Sequence, residues 1–219
     1  MSAIFVTSIG TDIGKTFVTA GLIRHLRGQG HPVEALKPVV TGFDPASAAA
    51  SDPGIILAAL GHQLSPGEFA RVSPFRYAAP LSPDMAAWKE GKAVDFDGVV
   101  EFCRRAIAGH QGTLLIEGIG GVMVPLDERR TVLDWMAALG IPAVLVTGSY
   151  LGSLSHTLTA LDVLRRRDIA VRGLVINETP ESTVSMADTR ATLQRFARTI
   201  PVVTLARGAT DFAEIAALL

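Results

Sequence analysis

The chain has 219 residues, 48% of them hydrophobic and 19% charged, with a net charge of −1. That is enough apolar material for one large core, so a single α/β domain over 1–219 is the economical reading, and the near-neutral charge excludes a basic field for nucleic acid. The lone cysteine excludes an internal disulfide or thiolate metal cluster, and no apolar run reaches the ~18 residues of a membrane span, which together point to the cytoplasm.

Ile4–Thr7 is the first predicted strand. It runs into Ser8-Ile9-Gly10-Thr11-Asp12-Ile13-Gly14-Lys15-Thr16, and helical periodicity then covers Lys15–Gly28. A loop ending in Gly-Lys-Thr between a first strand and an apolar helix is the pattern of a phosphate-binding loop. Its backbone N–H groups and the positive helix end surround a polyphosphate, the Lys reaches the outer phosphates, and the Thr hydroxyl ligates Mg²⁺. The alternative is an ordinary strand-to-helix turn with a solvated Lys15.

Val33–Leu36 is the second predicted strand, and Lys37-Pro38 comes directly after it. At that place Lys37 could reach the same phosphates as Lys15 and neutralise charge during transfer, or equally could extend into solvent. Thr41–Pro83 holds six of the twelve prolines. Beyond a helix at Ile55–Leu60 it has little periodic pattern, so it reads as an insertion that builds a site. Within it, Asp52 is a candidate second carboxylate, although by itself it reads as a turn or helix-capping residue.

Helices are predicted over Asp84–Glu90 and Phe96–Ala108, with Cys103 on the latter as a small core residue. The strand Thr113–Ile116 ends at Glu117, a candidate metal ligand; Gly118, Gly120 and Gly121 come next and allow close backbone approach to a ligand. A helix Val132–Leu139, strand Ala143–Thr147, helix Ser153–Arg167, strand Gly173–Ile176, helix Ser185–Thr199, strand Val202–Leu205 and helix Phe212–Leu218 complete the chain. Trp88 and Trp135 fall in helical patterns as packing residues, and His156 as a polar residue near a helix start. The alternation predicts a parallel sheet flanked by helices on both faces, of the P-loop NTPase type, with ligands beyond the carboxyl ends of the strands. Asn177, just past one strand, could pair with an adenine edge or simply form a turn. Pro201, Val202 and Val203 could sandwich the ring.

Taken in order, Gly14-Lys15-Thr16, Lys37-Pro-Val-Val-Thr-Gly42, Ser51-Asp52, Pro80-Leu-Ser-Pro83 and Glu117-Gly-Ile-Gly-Gly-Val-Met-Val-Pro-Leu126 resemble dethiobiotin synthetase over most of the chain. The phosphate loop departs from that family's usual Gly-Thr-Asp-Thr-x-Val-Gly-Lys-Thr: Ser8 stands for the leading Gly and Gly10 for the Asp. The resemblance implies ATP-dependent closure of a cyclic urea on 7,8-diaminononanoate with carbon dioxide, through a carbamate and a carbamic-phosphoric anhydride, in biotin synthesis. It implies Lys15, Lys37 and Thr11 as catalytic residues. Nucleotide contacts fall on Asp12, Ile13, Gly14, Lys15, Thr16, Phe17, Glu117, Gly118, Gly120, Asn177, Pro201 and Val203. Mg²⁺ falls on Thr16, Asp52 and Glu117, and the substrate on Thr41, Gly120, Gly121, Ser153 and Ser155. A homodimer is implied, with Ser149–His156 of one subunit receiving the substrate carboxylate at the other's site.

Two rival readings share parts of this pattern. A partition- or positioning-type ATPase has the same loop but carries an extra Lys early in it, whereas no Lys precedes Gly14 here. Another P-loop amidoligase would normally add a glutamine-hydrolysing domain with a catalytic Cys. Replacing Lys15 or Lys37 by Ala is expected to abolish product formation with the fold intact.

Overall fold

The computed structural model describes residues 2–180 and 182–219. β1 (Ser2–Ser8) leads through the phosphate loop into α1 (Lys15–Gly28), β2 (Val33–Leu36) and the short β3 (Val39–Val40). The insertion then folds as a 3₁₀ turn (Pro45–Ala50), α2 (Asp52–Leu60), α3 (Pro66–Val72), β4 (Phe75–Arg76) and α4 (Pro83–Lys89). The remainder alternates strictly: α5 (Phe96–Gly109), β5 (Thr113–Glu117), α6 (Val132–Leu139), β6 (Ala143–Gly148), α7 (Ser153–Arg166), β7 (Val171–Asn177), α8 (Met186–Ala197), β8 (Val202–Leu205) and α9 (Ala213–Ala216).

Six strands form one parallel sheet in the order β2-β5-β1-β6-β7-β8. Side chains alternate across it. Phe5, Leu114, Ile116, Leu145 and Leu174 face α5 to α8, while Ile4, Val6, Leu115, Val144 and Val175 face α1, α2 and α9. Both faces are covered, which is why these strands read as unbroken apolar runs. Trp135 packs edge-on against Phe5, centroids 4.9 Å apart and planes at 86°, as a packing residue. Trp88 corrects its expectation, because it is 77% exposed on α4 and not part of the core.

The order places β1 between β5 and β6, and the chain leaves β1 toward one side of the sheet and β5 toward the other. A crevice opens at such a reversal, beyond the carboxyl ends of the strands. Register sets Glu117 level with Val6, and Ser8 level with Val146, so the end of β5 and the phosphate loop share that edge. The small parallel pair β3 and β4 anchors both ends of the insertion beside it; Lys37 N donates to Val72 O at 2.9 Å, and Gly42 N to Ala79 O at 3.0 Å. Among the described residues, no helix is long and apolar enough to cross a membrane.

Candidate active site

Gly14 is the N-cap of α1 with a left-handed φ of 96°, and the first turn of the helix has no side-chain cap, so its amides remain available to an anion. A Cβ at Gly14 would lie 2.2 Å from Asn177 Nδ2, which itself donates to Ile13 O at 3.0 Å. Only glycine satisfies both the dihedral and the contact. Phe17 packs edge-on against Phe212 and joins the core beneath the loop.

Lys15 turns inward from the first turn of α1. Its Nζ donates to Ser8 Oγ at 3.0 Å, Gly120 O at 2.8 Å and Gly10 O at 3.3 Å. Burial, and next the charge of Lys37, pull its pKa down to about 8. The loop after β5 is closed onto the end of β1, with Gly118 N donating to Val6 O at 3.0 Å and Val122 N to Ser8 O at 3.1 Å.

Lys37 does not extend into solvent; it is 1% exposed. Its ammonium donates to Glu117 Oε1 at 2.8 Å and Gly118 O at 2.7 Å, and lies 3.1 Å from Asp52 Oδ2. Burial opposes its charge, yet the two carboxylates outweigh burial and hold its pKa above the ordinary lysine value. Asp52 is likewise opposed by burial, and Lys37 together with the Thr16 hydroxyl brings its pKa below the usual carboxylate range.

Asp52 is not the cap of α2. Ser51 takes that role through Gly54 N at 3.3 Å, which frees the Asp52 carboxylate to turn toward α1. Thr16 Oγ1 lies 2.8 Å from Asp52 Oδ1 and 2.8 Å from Glu117 Oε1. A hydroxyl has one hydrogen and cannot donate to both. Glu117 is fully buried, and its Oε2 has no hydrogen-bond partner. Three convergent oxygens, with a buried carboxylate oxygen left unsatisfied, fit a hard divalent cation. Among the described residues no group of three or more His, Cys, Asp or Glu side chains forms a closed metal cage. Two carboxylates and a hydroxyl completed by phosphate oxygens is the way Mg²⁺ is usually held.

Thr11, Asp12, Gly14, Lys15, Thr16 and Lys37 line one cavity of about 720 Å³, together with Thr41, Asp52 and Gly120. Its far wall is Pro80-Leu81-Ser82-Pro83, whose motif carried no assigned role in the sequence. Gly121 does not line the cavity; it packs on the phosphate loop, where a Cβ would come within 3.0 Å of the Ile9 backbone. Ser153 and Ser155 stand at the start of α7, past β6, and do not line this cavity; Ser153 is buried and its hydroxyl is unpartnered, whereas Ser155 is exposed.

Pro201 and Val203 need correction as a base sandwich. Pro201 precedes β8, at the amino end of the strand, and Val203 is buried in the face packed on α1 and α9. Parallel pairing puts Asn177 level with Leu205, so 206–208 is the part of this strand's path that stands at the carboxyl edge. There Arg207 N donates to Glu178 Oε2 at 2.8 Å. Ser8 carries a site contact that the sequence reading does not assign; its one signal is a polar residue ending an apolar strand directly before the loop.

A family profile described as an AAA domain matches residues 2–206. The chain is 50% identical over 196 residues to the ATP-dependent dethiobiotin synthetase of Acidiphilium cryptum (strain JF-5), covering 89% of this chain and 88% of that one. It is 44% identical over 213 residues to that of Methylobacterium nodulans, covering 95% and 94%. The chain belongs to the dethiobiotin synthetase family. Solved structures resembling it include the septum site-determining protein MinD of Pyrococcus horikoshii with Mg-ADP, at TM-score 0.53 and 16% identity, covering 95% of this chain and 82% of that one. Apo McdA from Cyanthece is similar at TM-score 0.55 and 12% identity, covering 100% and 91%. At those identities the likeness is one of fold alone. The dethiobiotin synthetase relationship, in contrast, holds at 44–50% identity over 89–95% of the chain.

Proposed function

We propose that residues 1–219 act as one ATP-dependent ligase domain that closes a cyclic urea on 7,8-diaminononanoate with carbon dioxide, yielding dethiobiotin, ADP and phosphate. The observation that carries this reading is the convergence of Lys15, Thr16, Lys37 and Asp52, with Thr11 and Thr41, on one cavity. One amine of the diamine adds to carbon dioxide and loses a proton, giving a carbamate. A carbamate oxygen attacks the γ-phosphorus and ADP departs; the second amine then attacks the carbonyl carbon and phosphate departs.

Lys15 and the uncapped amides of α1 hold the β- and γ-phosphates. Lys37, charged because Glu117 and Asp52 face it, stabilises the negative charge shared by carbamate and γ-phosphate during transfer. Thr11 and Thr41 orient the reacting groups by their hydroxyls. Thr16, Asp52 and Glu117 would hold Mg²⁺, which supplies charge neutralisation to the phosphates when bound. Water must also be kept from the anhydride, which hydrolyses. Holding both amines near one activated carbon makes ring closure effectively unimolecular, a gain on the order of several kcal/mol.

Ser153 and Ser155 belong to this reading through a homodimer. They lie away from their own chain's cavity, at the uncapped start of a 14-residue helix, where free amides suit a carboxylate from the neighbouring subunit's substrate. Protein, ATP, Mg²⁺, bicarbonate and the diamine are incubated and the product is weighed by mass spectrometry. A ureido product formed one for one with ADP supports the proposal, and ATP hydrolysis without it refutes the proposal. Mixing inactive Lys15→Ala and Ser155→Asp subunits should restore part of the activity if the site is shared, and none if it is not.

A further inference from the structure

The Lys15 ammonium has three hydrogens, and three acceptors surround it: the Ser8 hydroxyl and the Gly10 and Gly120 carbonyls. None of the three carries a charge. While all three contacts hold, no hydrogen is left for a phosphate oxygen. The acceptors come from separate places, the end of β1, the phosphate loop and the loop after β5, so the ammonium pins these segments together.

Ser8 is the side chain that completes this arrangement. It is fully buried, and its own hydroxyl hydrogen reaches Gly10 O at 2.6 Å or Gly120 O at 3.0 Å while its oxygen accepts from Lys15. It therefore acts as acceptor for the lysine and as donor to one or the other of the same two loops. Its backbone oxygen adds a further link by accepting from Val122 N at 3.1 Å.

We propose that Ser8 is a positioning residue whose hydroxyl latches Lys15 against the Gly10 and Gly120 carbonyls, and that nucleotide phosphates compete with this latch for the ammonium. The inference rests on the reading that Lys15 serves the phosphates. The latch competes with nucleotide, so it weakens binding. By recapturing Lys15 it also hastens ADP release, so it favours turnover. Removing the hydroxyl should then move affinity and rate in opposite directions, which a general loss of structure would not do.

The test is calorimetric titration of ADP and a non-hydrolysable ATP analogue with Mg²⁺, beside steady-state kinetics, for the parent, Ser8→Ala, Ser8→Gly, Ser8→Thr and Lys15→Ala. One lost hydrogen bond to a charged group predicts about tenfold tighter nucleotide binding in Ser8→Ala and Ser8→Gly, with a lower kcat. Ser8→Thr, which keeps the hydroxyl, should stay within about twofold of the parent. Equal or weaker binding by the Ala and Gly variants overturns the latch, as does a Thr variant that behaves like them. Lys15→Ala separates the two ideas. If it binds nucleotide as well as the parent, the phosphate role of Lys15 itself fails; if it binds weakly while the Ser8 variants are unchanged, the latch alone fails.

Discussion

Lys37 Nζ and Glu117 Oε1 meet at 2.8 Å with both side chains removed from water. This pair changes the expectation that Lys37→Ala would leave the fold intact, because the variant strands a buried carboxylate. We expect Lys37→Ala to cost about 3–5 kcal/mol in denaturant unfolding as well as activity. Adding Glu117→Gln should recover much of the stability and none of the turnover. A single variant as stable as the parent would contradict the pairing.

Lys15→Ala differs in kind. Its acceptors are two carbonyls and a hydroxyl, so no charge is left unpaired when the ammonium is removed. Product formation should fall by about 10²–10³-fold while the melting temperature moves little. Turnover near the parent value would remove Lys15 from the chemistry.

Asp52 is 41% exposed at its side chain, so losing it should cost far less stability than breaking the Lys37–Glu117 pair. Activity of Asp52→Asn against Mg²⁺ concentration should show half-maximal activation displaced upward by about tenfold. Chelation should abolish parent activity, and Mg²⁺ should restore it. An unchanged Mg²⁺ requirement would take Asp52 out of the metal site.

Gly14→Ala forces a side chain onto Asn177 Nδ2 at a left-handed φ. We expect a loss of about 1–3 kcal/mol and weaker nucleotide binding. Gly14→Ala combined with Asn177→Ala removes the collision but not the backbone strain, so thermal melting should show partial recovery. Full additivity of the two losses would contradict the contact.

Cys103 is buried in the sheet-facing side of α5, and burial pushes its thiol up to about 12. Native protein at pH 8 should react with iodoacetamide about a thousandfold more slowly than a free thiol, with activity unchanged. Adduct counting by mass spectrometry checks this.

The sheet was legible because strands covered on both faces must be apolar throughout; β2 and β8 match their expected spans, and β1, β5, β6 and β7 differ only at their ends. The pair β3 and β4 was not, since two-residue strands carry no periodicity and depend on partners 36 residues apart, as at Val39 and Phe75. α3 did carry a signal in Ser65-Pro66-Gly67-Glu68, where Ser65 Oγ caps Glu68 N, but only Phe69 and Val72 bury beneath it. Lys15 and Thr16 could be read locally, while the Lys37–Asp52–Glu117 cluster exists only through long-range closure. Pro201 and Val203 went astray by strand direction, because a ligand at the carboxyl edge meets the residues that leave a parallel strand and not those that enter it.

The most direct test is a crystal structure with a non-hydrolysable ATP analogue and Mg²⁺. The account predicts phosphate density against the amides of Gly14, Lys15 and Thr16, with a cation between Thr16, Asp52 and Glu117. Nucleotide density elsewhere, with that turn empty, would contradict it.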